Sequence, residues 1–142
     1  MVSLTVSAPR LRERGPVLPV RVGVGEAAER ALKRAGRPVP PALPLLAMVD
    51  TGAGRSVIQK GLAAELGLTP VGAVEIDTPS SIDMASFEYF VRIWFNDRLS
   101  VESKALEAPL PVPRLRALIG RDVLAQGQLV YDGRRERFEL KF

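Results

Sequence analysis

The sequence of 142 residues contains no cysteine and no histidine. Without cysteine there is no disulfide, no thiolate nucleophile, no thiolate zinc site and no iron–sulfur cluster. Without histidine there is no Ser-His-Asp triad and no imidazole-ligated metal. Lysine is scarce too: four of the 20 basic residues are Lys and the other 16 are Arg. Aromatic residues make up 6% of the chain, so few rings are present to stack on bases. The longest apolar run, Pro38 to Val49, is broken by prolines and falls short of the ~20 residues a membrane helix needs. Met1 to Val20 carries charges inside it and lacks the unbroken apolar segment of a signal peptide. The expectation is a cytoplasmic protein without a membrane partner. The acid–base groups that remain are carboxylates, Lys and Tyr, so carboxylates are the first suspects for any catalysis.

What is present is globular in composition, with 46% hydrophobic and 25% charged residues, enough for one modest core. The net charge is +4, with Arg10, Arg12 and Arg14 clustered near the start and Arg134, Arg135 and Arg137 near the end. Such clusters neutralise phosphates in nucleic-acid binders, and a basic nucleic-acid-binding barrel is one alternative reading, recognisable by steeply salt-dependent binding. Acidic residues are interleaved throughout, however, so a solvated basic face is the simpler account and no nucleic acid is expected as partner.

Residues 1–15 are polar and Arg-rich and read as an arm or an edge strand, followed by a single domain over 16–142. Val17 to Val24 alternates as a strand does. Within 25–36, Ala27, Ala28, Ala31, Leu32 and Ala35 recur at helical spacing, so Gly25 to Gly36 reads as a helical insertion. Leu45 to Val49 is a buried strand running into Asp50-Thr51-Gly52-Ala53-Gly54. The spacing of Val57, Ile58, Leu62, Ala63 and Leu66 predicts a helix over Ser56 to Leu66. Val71 to Ile76 and Phe87 to Phe95 are strand-like around a turn signal at Asp77 to Ser81, which gives a long hairpin over about 72–95. Leu99 to Leu106 and Leu115 to Ile119 read as strands, Gly120 to Gln126 as one helical turn. A last hairpin turns at Asp132-Gly133. Many short strands with one or two short helices argue a mainly β fold, a small closed barrel or sandwich.

Two segments carry the chemistry. In Met48-Val49-Asp50-Thr51-Gly52-Ala53 a carboxylate ends an apolar strand and is followed by a hydroxyl and small residues. A buried, unpaired Asp is costly, and small neighbours let backbone N–H groups approach to satisfy it. On its own this segment is equally an Asx turn or a helix cap. The second segment, Leu118-Ile119-Gly120-Arg121-Asp122-Val123-Leu124, is a strand, a glycine turn and a helical turn about seventy residues further on. Here Asp122 reads as a local cap. Ser56 and Ser80 have no His to activate them, and Lys60 reads as an exposed helix residue.

The pair, in this order and spacing, resembles the retropepsin-like aspartic proteases, retroviral and bacterial, over about Val17 to Phe142. The resemblance implies a closed, homodimeric barrel. It makes Asp50 the catalytic aspartate, Thr51 the hydroxyl bracing the loop across the dimer, Gly52 the substrate-contacting backbone and Ala53 the small packing residue. The hairpin occupies the flap position, so Asp77, Thr78, Pro79, Ser80, Ser81 and Ile82 become flap and substrate-binding residues. Ile119, Gly120, Arg121 and Asp122 become the structural second motif. The chain departs from the family where Gly54 and Arg55 follow Ala53, since retroviral members often carry an acid there that pairs with the Arg of the second motif. Arg121 must therefore find another partner. The flap tip is Thr78-Pro79-Ser80-Ser81 rather than glycine-rich.

Chemistry independently requires a second copy. Peptide hydrolysis needs a base for water and an acid for the carbonyl oxygen, and one carboxylate cannot be both. Two carboxylates ~3 Å apart share one proton and titrate as a unit. One Asp-Thr-Gly per chain leaves the second to an identical subunit across a two-fold axis. The expectation is an aspartic endopeptidase acting on peptides or proteins, with no cofactor and no metal. The alternative is a non-catalytic dimer of the same fold that binds peptides.

Overall fold

The computed structural model describes residues 1–78 and 81–142, with side chains described for these except 75–78 and 81–85. Strand β1 (Ser3–Ser7) and one helical turn, α1 (Leu11–Arg14), precede β2 (Val17–Val24). Helix α2 (Glu26–Arg34) leads to β3 (Leu43–Val49). Next come β4 (Val57–Gln59), a single helical turn α3 (Leu62–Glu65), and the hairpin of β5 (Gly72–Thr78) and β6 (Ser81–Trp94). They are followed by β7 (Ser100–Ala108), β8 (Ala117–Ile119), the turn α4 (Arg121–Leu124), β9 (Gln128–Asp132) and β10 (Arg137–Lys141).

Six strands form a ring in the order β2-β3-β8-β4-β7-β6, and β6 pairs back onto β2 from Arg21↔Trp94 to Val24↔Val91. The barrel is therefore closed, which removes the open edges that an isolated sheet would expose. Alternation along β2 sends Leu18, Val20 and Val22 inward, where they meet Ala47, Val49, Ile58, Val91, Ile93, Val101 and Ile119. Tyr89 is also buried there, and burial, helped by the charge of Glu107, pushes its phenol above the ordinary value. Strand β5 lies outside the ring as the partner of β6, and the two form the long hairpin expected from the sequence.

A second sheet, β1-β10-β9, packs Phe138 and Leu140 against the barrel, and the Phe142 ring stacks on Phe95 with centroids 5.4 Å apart. Helix α2 buries none of its residues. Its alanine face, with Leu66, Leu68, Val71 and Phe90, borders an open groove of about 830 Å³. Among the described residues no helix is long and apolar enough to cross a membrane.

The helix expected over Ser56 to Leu66 is a correction. Only Leu62–Glu65 is helical, and Val57–Gln59 is a barrel strand, parallel to β7 and antiparallel to β8. Two β-branched residues start the segment, and both of its edges are taken by neighbouring strands. Gly61, at φ +97°, then turns the chain into α3. Arg116 fixes this short strand by donating from Nε to Gln59 at 2.8 Å and from Nη2 to Glu65 at 2.7 Å.

Candidate active site

The two motif segments meet because their strands are parallel neighbours. Val49 stands beside Ile119 in the β3–β8 register, so Asp50 and Gly120 leave adjacent strand ends. The Asp50 N–H donates to the Ile119 carbonyl at 2.8 Å and extends the pairing by one residue. The chain then turns sharply. The Gly52 N–H donates to Asp50 Oδ1 at 2.9 Å, and the Ala53 N–H donates to the Asp50 carbonyl at 3.2 Å. The Asx turn that the bare sequence allowed is thus present. A methyl group at Gly52 would stand 3.1 Å from Oδ1, so a side chain there would crowd the carboxylate. Asp50 is half-buried, while Thr51 and Gly52 are exposed at the tip of the loop.

What raises this above an ordinary turn is the topology around it. Strand β8 lies between β3 and β4, although the loop 50–56 connects those two directly. The loop must therefore cross the end of β8, and it does so against Gly120. A Cβ at Gly120 would lie 2.6 Å from the Arg55 carbonyl carbon, 2.7 Å from the Arg55 oxygen and 2.9 Å from the Ala53 oxygen. Backbone closes on it, so only glycine fits. Arg121 holds the crossing chain from below. Its N–H donates to the Ala53 carbonyl at 2.9 Å and its Nη1 to the Thr51 carbonyl at 2.8 Å. The Thr51 carbonyl is thus the partner Arg121 takes in a loop where Gly54 offers no acid.

Ser56 and Asp122 lock the far side of the loop. Ser56 is 1% exposed. Its Oγ accepts from the Gly120 N–H at 2.9 Å and donates to Asp122 Oδ1 at 2.7 Å. Asp122 also accepts from the Ser56 N–H, from Ser103 Oγ at 3.2 Å and from the Val123 N–H at 2.8 Å. The sequence reading made Asp122 a local cap, but the N-cap position of α4 is Gly120, and Asp122, inside the turn, bonds the next N–H and a residue 66 positions away. Sequence reasoning passed over Ser56, because a lone serine without histidine signals no chemistry.

Arg55 leaves the same loop and forms an ion pair with Glu88 of β6. Nothing in the sequence singled out Glu88, a polar residue in an alternating strand. Of the flap residues, Asp77 and Thr78 lie in β5 and Ser81 and Ile82 in β6, with Thr78 opposite Ser81. Pro79 and Ser80 lie outside the described residues. The structure therefore brings Asp50–Ala53 and Ile119–Asp122 together and carries Asp77, Thr78, Ser81 and Ile82 at the end of the hairpin away from Gly72 and Glu88. Among the described residues no group of three or more acidic side chains gathers to hold a metal ion.

No protein-family model matches this sequence, and no curated protein matches it. Solved structures do. A retropepsin-like aspartic protease from Rickettsia conorii superposes with a TM-score of 0.57 at 12% identity, covering 98% of this chain and 89% of that one. The fold is that of the retropepsin-like aspartic proteases. The EIAV protease complexed with the inhibitor HBY-793 aligns at 19% identity over 80% of this chain and 88% of that one, with a TM-score of 0.49. Within the retropepsin-like fold, this chain presents one Asp-Thr-Gly loop braced by one Gly-Arg-Asp turn.

Proposed function

We propose that the protein is an aspartic endopeptidase whose catalytic pair is Asp50 from each of two copies of the chain. One observation carries this reading: Asp50 is half-buried beside the exposed Thr51 and Gly52, while Asp122, the other carboxylate of the motif pair, is consumed by four donor groups. Asp122 is bound into the scaffold and unsuited to proton transfer. The second acid must then come from outside the chain, and the exposed Thr51 and Gly52 beside Asp50 leave room for an identical loop to approach across a two-fold axis.

The arrangement gives a definite sequence of proton transfers. Of two facing Asp50 carboxyls, one is ionised and one protonated. The ionised one takes a proton from water as the water oxygen attacks the peptide carbonyl carbon. The protonated one gives its proton to the carbonyl oxygen. As the tetrahedral intermediate collapses, the carboxyl that took the water proton gives it to the departing amide nitrogen, the other carboxylate takes a hydroxyl proton from the diol, and the C–N bond breaks, which restores the singly protonated pair. The Gly52 N–H bond to Oδ1 keeps the carboxyl oriented through the cycle. The β5–β6 hairpin, as the flap, covers an extended peptide and excludes bulk water.

Purified protein is expected to cleave a peptide library, best at mildly acidic pH where the pair holds a single proton. Asp50→Asn is expected to abolish cleavage while circular dichroism and sedimentation remain unchanged. Undiminished cleavage by that variant overturns the role of Asp50. Folded dimers without turnover from acid to neutral pH favour a peptide-binding module instead.

A further inference from the structure

Arg55 and Glu88 stand where the candidate catalytic loop meets the hairpin. Arg55 belongs to the loop that crosses Gly120, four residues past Thr51. Glu88 is held on both sides, by the pairings Gly72↔Glu88 to β5 and Glu88↔Leu106 to β7. The Leu106 N–H donates in turn to the Ser56 carbonyl at 3.0 Å, so the ion pair spans a short path already bridged by backbone. The Glu88 side chain is 15% exposed and that of Arg55 35% exposed, so the pair is screened less by water and salt than a surface pair.

Gly72 makes the arrangement possible. A Cβ at Gly72 would fall 2.6 Å from Glu88 Oε2. The carboxylate lies over a position with no side chain, and that vacancy lets it turn toward Arg55. Glu88 also anchors the base of the hairpin through its backbone, because the Val71 N–H donates to the Glu88 carbonyl at 2.8 Å.

We propose that Arg55 and Glu88 form a clasp that fixes the base of the β5–β6 hairpin to the Asp50 loop, making both of them positioning residues for cleavage. The link to cleavage rests on the endopeptidase reading above; the clasp itself does not. An arginine suits the role because its planar fork holds a carboxylate in one orientation, where a lysine holds it only as a point charge.

The test measures amide hydrogen exchange in the full-length protein at residues 52–56 and at residues 72–74 and 86–88. The variants are Arg55→Ala, Glu88→Gln, Gly72→Ala and the exchanged pair Arg55→Glu with Glu88→Arg. Gly72→Ala keeps both charges, and its methyl displaces only the flexible end of Glu88. Each of the first three is expected to speed exchange about tenfold in both segments together and to lower kcat/KM about tenfold, about 1.4 kcal/mol at the barrier. The exchanged pair is expected to recover both. Faster exchange confined to the segment that carries the substitution, in Gly72→Ala as in the charge variants, overturns the clasp. Unchanged exchange in all three does so too. If the wild-type protein cleaves no peptide, the exchange measurement still decides the clasp, and the failure falls on the endopeptidase reading alone.

Discussion

At Gly120 the whole arrangement depends on a missing side chain. The loop from Asp50 to Ser56 passes over it with backbone atoms inside 3.0 Å of any Cβ, and backbone cannot step aside as a flexible side-chain end can. Gly120→Ala is expected to cost about 3 kcal/mol, the upper end of overpacking penalties, and to displace Asp50 along with the loop. Ser56→Ala tests the other side of the crossing. It leaves the buried Gly120 N–H without its acceptor and removes one donor from Asp122, at a cost of about 1–3 kcal/mol. Urea denaturation of both variants checks these values. At this scale the sequence was half legible. Asp50, Gly120 and Arg121 stand out as motif positions. Ser56 and Glu88 do not, because their partners lie 66 and 33 residues away, at Asp122 and Arg55, and no local pattern marks so distant a bond.

Among the elements, β2, β3 and the β5–β6 hairpin were readable because alternation and turn residues are local signals. Strand β4 was not. Its three residues are too few to show a period, and they are strand only because β7 and β8 take their backbone groups. The parallel pairing of β3 with β8, which joins the two motifs, is equally invisible to local pattern. Helix α2 presents the opposite case. Its helical spacing was plain, yet the apolar face it implied packs into no core. The two elements therefore differ in what they contribute. Ile58→Ala in β4, where the side chain is 2% exposed, is expected to cost about 2–5 kcal/mol. Leu32→Ser in α2 is expected to change stability by less than about 0.5 kcal/mol. Thermal unfolding of the two variants side by side measures the contrast, and equal losses would show that α2 is part of the core after all.

As a whole molecule, the barrel is complete and the proposed active site is not. Six strands close on themselves and satisfy their own edges, while β5 and the outer strands of the β1-β10-β9 sheet each pair on one side only. The proposed need for a partner comes from chemistry: the loop carries one half-buried carboxylate, and the carboxylate on its far side, Asp122, is committed to holding the scaffold. Acid and base must be two groups, and the endopeptidase proposed above takes the second from another copy. On that proposal the function is a property of the pair of chains. Subunit mixing tests it most directly. Wild-type chain is refolded in constant amount with increasing Asp50→Asn chain, and peptide cleavage is measured at mildly acidic pH. Mixed pairs hold one ionisable carboxyl and one amide, so the account predicts that cleavage falls steeply toward zero as the variant comes to outnumber the wild type. Cleavage that stays constant, tracking the wild-type chains alone, would contradict it.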